Sequence, residues 1–278
     1  MKDSTKIDRR TALGAFGLLG GSLMLACKTD SGASLVDAAT STGTDGATAT
    51  GDAACAATLE GEVGPYFADD SADGFNRSDI TANLDGSEVQ VGIPLQLTFY
   101  LYDAQNGCAP YVGAQVDIWH CNAAGVYSDI SSEGTSTEQW LRGYQVTDST
   151  GKISFTTIFP GWYQGRTTHV HLRIRSSYDE DAGLSDGTNT TQVFFAQTLI
   201  DTIATTISPY NAEGTNPTTN ASDRVYAQQT QSQNQLSLTG DTTSGFSATF
   251  AIYLPIDDSS GSGSGGPGSG GPGSGSAG

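Results

Sequence analysis

From Ile93 onward the chain breaks into short runs in which apolar and polar residues alternate, and hardly any stretch keeps an apolar residue at every third or fourth position. Leu95 to Tyr102, Val116 to Cys121, Gly143 to Val146, Ile153 to Ile158, Val170 to Ile174, Val193 to Ala196 and Phe246 to Leu254 all read this way, most of them closed by Gly, Asn, Asp or Pro. Successive side chains of a strand point to opposite faces, so each run can bury one face and leave the other polar. Short strands at this spacing predict an all-β fold, an antiparallel β-sandwich with long loops. Asp201 to Asn234 is polar and rich in Asn, Thr and Gln, and predicts a long excursion over the core with one short helix.

The sandwich does not need the whole chain. Thr29 to Ala54 is almost entirely Ser, Thr, Ala, Gly and Asp, with Leu35 and Val36 its only large apolar residues. Such a segment cannot bury enough surface to offset the entropy of ordering it. Residues 28–54 therefore read as a flexible linker, 55–258 as the folded domain, and the Gly/Ser/Pro-rich 259–278 as a disordered tail. Residues 1–27 read as an export signal: Arg9-Arg10 precede a glycine-rich apolar run that ends at Ala26 and Cys27. The paired arginines resemble a twin-arginine signal, which carries folded proteins, and Leu25-Ala26-Cys27 resembles a lipoprotein box. A lipid on Cys27 would tie the protein to a membrane, and ordinary cleavage near Ala26 is the alternative. Either route places it outside the cytoplasm, periplasmic or at the cell surface.

Charge and cysteines narrow the partners. With a net charge of −18 and no Lys/Arg cluster, the chain offers no surface for nucleic acid. If Cys27 is processed, Cys55, Cys108 and Cys121 remain in an oxidising compartment. Three cannot all pair, and Cys55 with Cys108 is favoured. Cys121, on an expected strand, reads as a small buried side chain.

Pro160 to His171 gathers Tyr163, Arg166 and two of the chain's three histidines. If Thr168 to Arg175 is a strand, His169 and His171 project from one face and can share one ion. Tyr163 is an unusual further ligand, because a phenol with a pKa of about 10 gives up its proton at neutral pH only to a strongly Lewis-acidic ion. Ferric iron, Fe(3+), is the natural candidate. A second tyrosine, Tyr127, follows Val116 to Cys121 across an Asn122/Gly125 turn that would present it at a sheet end.

Here the sequence resembles the intradiol ring-cleavage dioxygenases. The matching residues are Gly64-Pro65-Tyr66-Phe67, Val116 to Ser128, Leu141-Arg142-Gly143, Thr147-Asp148 with Gly151, Phe155 with Thr157-Ile158, Pro160 to Tyr163, Gly165-Arg166, the His169/His171 pair and Thr191 to Phe195, in that order. The resemblance implies a β-sandwich with iron held between strand ends and loops by Tyr127, Tyr163, His169 and His171. It implies that Arg166 lies beside the bound substrate and that Gln192 supports the site. The implied activity is cleavage of catechol-type diols between the hydroxyl-bearing carbons, giving cis,cis-muconate-type products that keep both atoms of dioxygen. Only Gln164 and Gly165 separate Tyr163 from Arg166. That spacing is shorter than is usual in soluble catabolic members and implies a more open pocket. His120 reads as structural, Trp119 as core, Trp162 as pocket rim, and Tyr66 as packing or pocket wall. Two other readings stand beside this one: a non-catalytic exported sandwich binding aromatic compounds or surface polymers, and a zinc or copper site built on the histidines.

Overall fold

The computed structural model describes residues 55–68, 74–175, 187–229 and 233–255. The segments read as an export signal, linker and tail, together with Cys27, lie outside the described residues. The elements are β1 (Pro94–Asp103), β2 (Ala109–Pro110), β3 (Gln115–Trp119), β4 (Arg142–Val146), β5 (Lys152–Ile158), β6 (His169–Arg175), β7 (Gly187–Phe194), α1 (Gln197–Thr206), α2 (Arg224–Gln228), β8 (Thr239–Asp241) and β9 (Gly245–Leu254). One sheet runs β2-β1-β9-β8 with β5 also paired to β1, and the other runs β4-β3-β6-β7. Pairing between these strands is antiparallel except for β1 with β9, which is parallel. Parallel neighbours need a long crossover, and here it takes the chain through the whole second sheet before β9 returns beside β1.

The core lies between the sheets. Leu95, Leu97, Phe99 and Leu101 of β1 and Phe246, Ala248, Ile252 and Leu254 of β9 meet Val116 and Ile118 of β3, Val170, Leu172 and Ile174 of β6, and Val193 of β7. Burying one such large side chain contributes about 1.5–3 kcal/mol. Period-two alternation thus commits every other residue of β3 and β6 to the core.

The intervening residues lie on the far side of the second sheet. Register puts Arg142, Trp119, His171 and Gln192 in one row across β4, β3, β6 and β7, and directly opposed residues of antiparallel strands share a face. That face is covered too, which is why β6 is buried along its whole length. The segment before β1 covers it. Gly61 N–H donates to Thr190 O at 2.7 Å, Gln192 Nε2 donates to Glu62 O at 2.8 Å, and Arg142 Nη2 donates to Tyr66 O at 2.7 Å. Phe67 packs edge-on to Trp119, ring centroids 5.0 Å apart. Cys55, where the described chain begins, is bonded to Cys108, and Cys121 is free and buried.

Two expectations change. The strand expected at Val193 to Ala196 is β7, and it starts earlier, at Gly187. Its Thr191 and Gln192 side chains are buried and donate to Leu59 O and Glu62 O of the covering segment, so their polarity does not mark a face turned to water. The 201–234 excursion contains α2 and most of α1, which begins before it at Gln197, rather than a single helix. α1 buries Ile200, Ile203 and Ala204, a spacing three and four apart that is too brief to stand out in a polar stretch.

His120 is structural, as expected. Its Nε2 meets Thr157 Oγ1 at 2.7 Å and its Nδ1 meets Cys121 O at 2.8 Å. Burial pushes its pKa down to about 4 from 6.5. Between those values the unfolded chain binds a proton that the folded one refuses, so stability falls as pH drops through this window. The full contribution is on the order of 3 kcal/mol. Urea unfolding of metal-free protein at pH 7 and pH 5 should therefore show a loss that is smaller in His120→Gln. Equal losses in the two proteins would contradict this assignment.

Candidate metal centre

His169 and His171 leave β6 on the covered face, as their spacing predicts. His169 Nδ1 lies 2.6 Å from Thr167 O, and a carbonyl only accepts, so Nδ1 carries the proton and Nε2 keeps its lone pair. That nitrogen points at His171 Nε2, 2.9 Å away. Two imidazole nitrogens converge on one point. Trp119 stacks on the His171 ring, centroids 4.7 Å apart and planes 8° from parallel, which fixes its tilt.

The two tyrosines come from loops. Asn122 closes the turn after β3, its Oδ1 accepting from Ala124 N and Val126 N. Tyr127 follows and is held through its backbone, donating N–H to Glu133 Oε2 at 2.5 Å and accepting from Thr135 Oγ1 at 2.6 Å. Tyr163 ends the Pro160–Tyr163 segment, and a tight turn over Gln164 and Gly165 leads to Arg166, whose N–H donates to Tyr163 O at 3.3 Å. Ring centroids are 5.6 Å apart for Tyr127 and Tyr163, 5.7 Å for Tyr163 and His169, and 6.4 Å for Tyr127 and His171. All four predicted donors therefore surround one volume.

Their electrostatics suit a cation that displaces protons. Burial first, then the Arg166 charge, pushes His169 down to about 3. Burial and then the neighbouring His169 push His171 well below its usual range. Both rings are neutral at pH 7, as ligation requires. Burial raises Tyr127 well above 10 and Tyr163 to about 12, with Arg166 pulling against the rise in both. The Tyr127 hydroxyl is buried and makes no hydrogen bond of normal geometry, although it lies close enough to Tyr163 to bear on that group's acidity. A buried, unsatisfied hydroxyl costs about 1–3 kcal/mol, and a bound ion would recover that cost. Among the described residues no three His, Cys, Asp or Glu side chains converge as zinc and copper centres commonly require.

Arg166 and Gln192 meet beside the donors: Arg166 Nη2 donates to Gln192 Oε1 at 2.5 Å. Tyr66, expected as packing or wall, stacks on Tyr127 with centroids 4.4 Å apart. A cleft of about 370 Å³ opens beside Tyr163, lined also by Gly125, Trp162, Gln164 and Glu213. A larger one, about 640 Å³, lies between the start of α1 and α2 and touches none of the four donors.

The sequence alone assigns no role to three supporting residues, although Arg142 stands in the Leu141-Arg142-Gly143 match. Arg142 is fully buried and donates through Nε and Nη2 to Ser128, its guanidinium 6.0 Å from the centre of the Tyr127 ring. Glu133 holds Tyr127's backbone. Asp223, far along the chain, binds Arg166 at 2.8 Å. None has a spacing signal, since each acts across a distance in sequence that only the fold closes.

Residues 63–206, just over half of the chain, match the family described as Dioxygenase (Dioxygenase_C). The catechol 1,2-dioxygenase of Candida albicans is 31% identical over 109 residues, 32% of this chain and 36% of that protein. Catechol 1,2-dioxygenase 1 of Acinetobacter lwoffii is 39% identical over 85 residues, 24% of this chain and 27% of that protein. The chain thus spans about a third of the length of the curated relatives it matches. An intradiol ring-cleavage dioxygenase from Tetranychus urticae superposes with a TM-score of 0.61 at 27% identity, covering 74% of this chain and 98% of that one.

Proposed function

This chain belongs to the intradiol ring-cleavage dioxygenase family, and from that premise we propose that it is a non-haem iron(III) enzyme cleaving catechol-type diols to cis,cis-muconate-type products. The observation that carries the proposal is the convergence of the His169 and His171 Nε2 atoms on a volume walled by Tyr127 and Tyr163. Those four residues would hold the ion. When bound, ferric iron would act as a Lewis acid that acidifies the diol hydroxyls and makes the ring electron-rich toward dioxygen.

The chain's own residues do the rest. Tyr127 and His171 are buried and locked by Tyr66 and Trp119, so they are fixed anchors. Tyr163 lines the cleft and would take a hydroxyl proton from an entering diol. Arg166 keeps a permanent cation beside the site, able to stabilise negative charge that builds on the ring. The tight Gln164–Gly165 turn leaves the cleft beside Tyr163 open, which favours substituted diols.

Purified without chelator and loaded with iron, the protein should show a visible tyrosinate-to-iron band. The band should shift when catechol is added under nitrogen, and admitting oxygen should yield muconate. A protein that binds catechol but stays colourless would instead favour a non-catalytic sandwich that binds aromatic compounds.

A further inference from the structure

Asp223 is a fully buried carboxylate at the start of α2, in the polar excursion beyond the span that matches the family. Its two oxygens have separate tasks. Oδ1 accepts from Val225 N and Tyr226 N, each at 2.9 Å, and so caps the helix. Oδ2 accepts from Arg166 Nε and from Thr167 N, each at 2.8 Å. A helix cap needs only the first oxygen; the second is spent on the residue three positions before His169 and on the backbone that leads into β6.

The consequence for Arg166 is geometric. A guanidinium is a rigid planar fork, so fixing Nε fixes the plane. With Nε on Asp223 and one Nη2 hydrogen on Gln192, the fork is clamped at two points. Among the described residues these are its only side-chain partners, and its side chain is 16% exposed, so the remaining Nη1 edge is left to meet a ligand. Asn216 Nδ2 donates to Arg166 O at 2.8 Å, and Asn220 Oδ1 accepts from Thr167 Oγ1 at 2.6 Å, so the same excursion also grips the backbone of this turn. Burial alone would raise the Asp223 pKa, but the Tyr226 and Thr167 amides and the Arg166 charge outweigh it and hold the carboxyl below its usual range. It is charged whenever the enzyme works near neutral pH.

We propose that Asp223 is the positioning residue of the site, holding the Arg166 guanidinium at the angle from which it stabilises charge on the substrate. The proposal rests on the dioxygenase reading and adds to it a residue that touches neither metal nor substrate.

The test is a double-mutant cycle on the iron-loaded full chain with catechol. Asp223→Asn keeps an oxygen for the α2 cap but turns an amide N–H₂ toward Arg166. It should retain the visible band while kcat falls about tenfold to a hundredfold with little change in KM, and its thermal midpoint should drop by a few degrees because the Thr167 N–H loses its acceptor. In an Arg166→Ala background the same change should lower kcat no further, because the Thr167 and α2 contacts bear on stability and only the arginine carries the effect of Asp223 to turnover. If Asp223→Asn folds poorly, Asp223→Ser, also a good cap, takes its place in the cycle. Additive losses in the double variant, or unchanged kcat in Asp223→Asn, would overturn the proposal. Nuclear magnetic resonance supplies a readout apart from activity: the Arg166 Nε–H should be protected from exchange in the wild type and lose protection in Asp223→Asn. Wild-type protein with no turnover of catechol would instead sink the dioxygenase reading itself, and the wild-type rate tells the two failures apart.

Discussion

Tyr127→Phe is expected to lose most of its bound iron, and with it the visible band, and to lower catechol turnover by roughly a thousandfold, about 4 kcal/mol, while leaving the metal-free protein as stable as wild type or more so. The opposite signs follow from one atom. The Tyr127 hydroxyl is buried without a hydrogen bond of normal geometry, so removing it removes a desolvation cost and breaks no well-formed hydrogen bond. The ring itself stays, still stacked on Tyr66. His169→Ala should match the loss of iron and turnover but cost stability, because it orphans the Thr167 carbonyl and leaves a cavity beside Tyr163 and Phe194. Iron content per chain, the visible spectrum and urea midpoints of the metal-free proteins check all three expectations. Tyr127→Phe that kept full iron and colour would remove Tyr127 from the ligand set. A Tyr127→Phe protein that lost iron and also unfolded more easily would show the residue to be a packing element.

What was legible in the sequence was what has a period. Alternation over β1, β3, β5, β6 and β9 predicted the sandwich because a strand's side chains must choose between two faces, and here one face is the core. The same rule put His169 and His171 on one side of β6 without any knowledge of the fold. What it could not show is that this side, the one away from the sheet–sheet core, is also buried, since the cover is the Leu59–Phe67 segment, which pairs through single hydrogen bonds rather than a repeating pattern. The tyrosines were found by resemblance and by their turns. Arg142, seen only as part of a match, and Glu133 and Asp223 were given no role, because each holds a donor or Arg166 by hydrogen bonding to groups that only tertiary folding brings near. The strand that became β7 was misjudged at its start for a related reason: Asn189 to Gln192 look like a polar loop until their partners in β6 and the cover are known.

Gly125→Ala should cost about 2–4 kcal/mol of stability and most of the iron-binding capacity, although residue 125 is not a donor. The two tyrosine-bearing loops meet backbone to backbone. A Cβ on Gly125 would lie 2.1 Å from Trp162 O, and one on Gly161 would lie 2.5 Å from Ala123 O, so glycine on each side is what allows the close approach. Gly161 N–H donates to Asn122 O at 3.1 Å across the same seam. Because the obstacle at Gly125 is a carbonyl of the main chain and not the end of a flexible side chain, an added methyl must push Trp162, and with it Tyr163, away from Tyr127. Its φ of +80° adds strain for any L side chain. Gly165 is the matched control: its φ is +90° in the neighbouring turn, but an added Cβ meets nothing within 4 Å. Gly165→Ala should therefore carry the backbone strain alone, on the order of 1 kcal/mol, and keep its iron. Urea midpoints and iron content of the two variants separate strain from loop displacement. Equal behaviour at the two positions would mean that the contact between the loops does not set the spacing of the tyrosines.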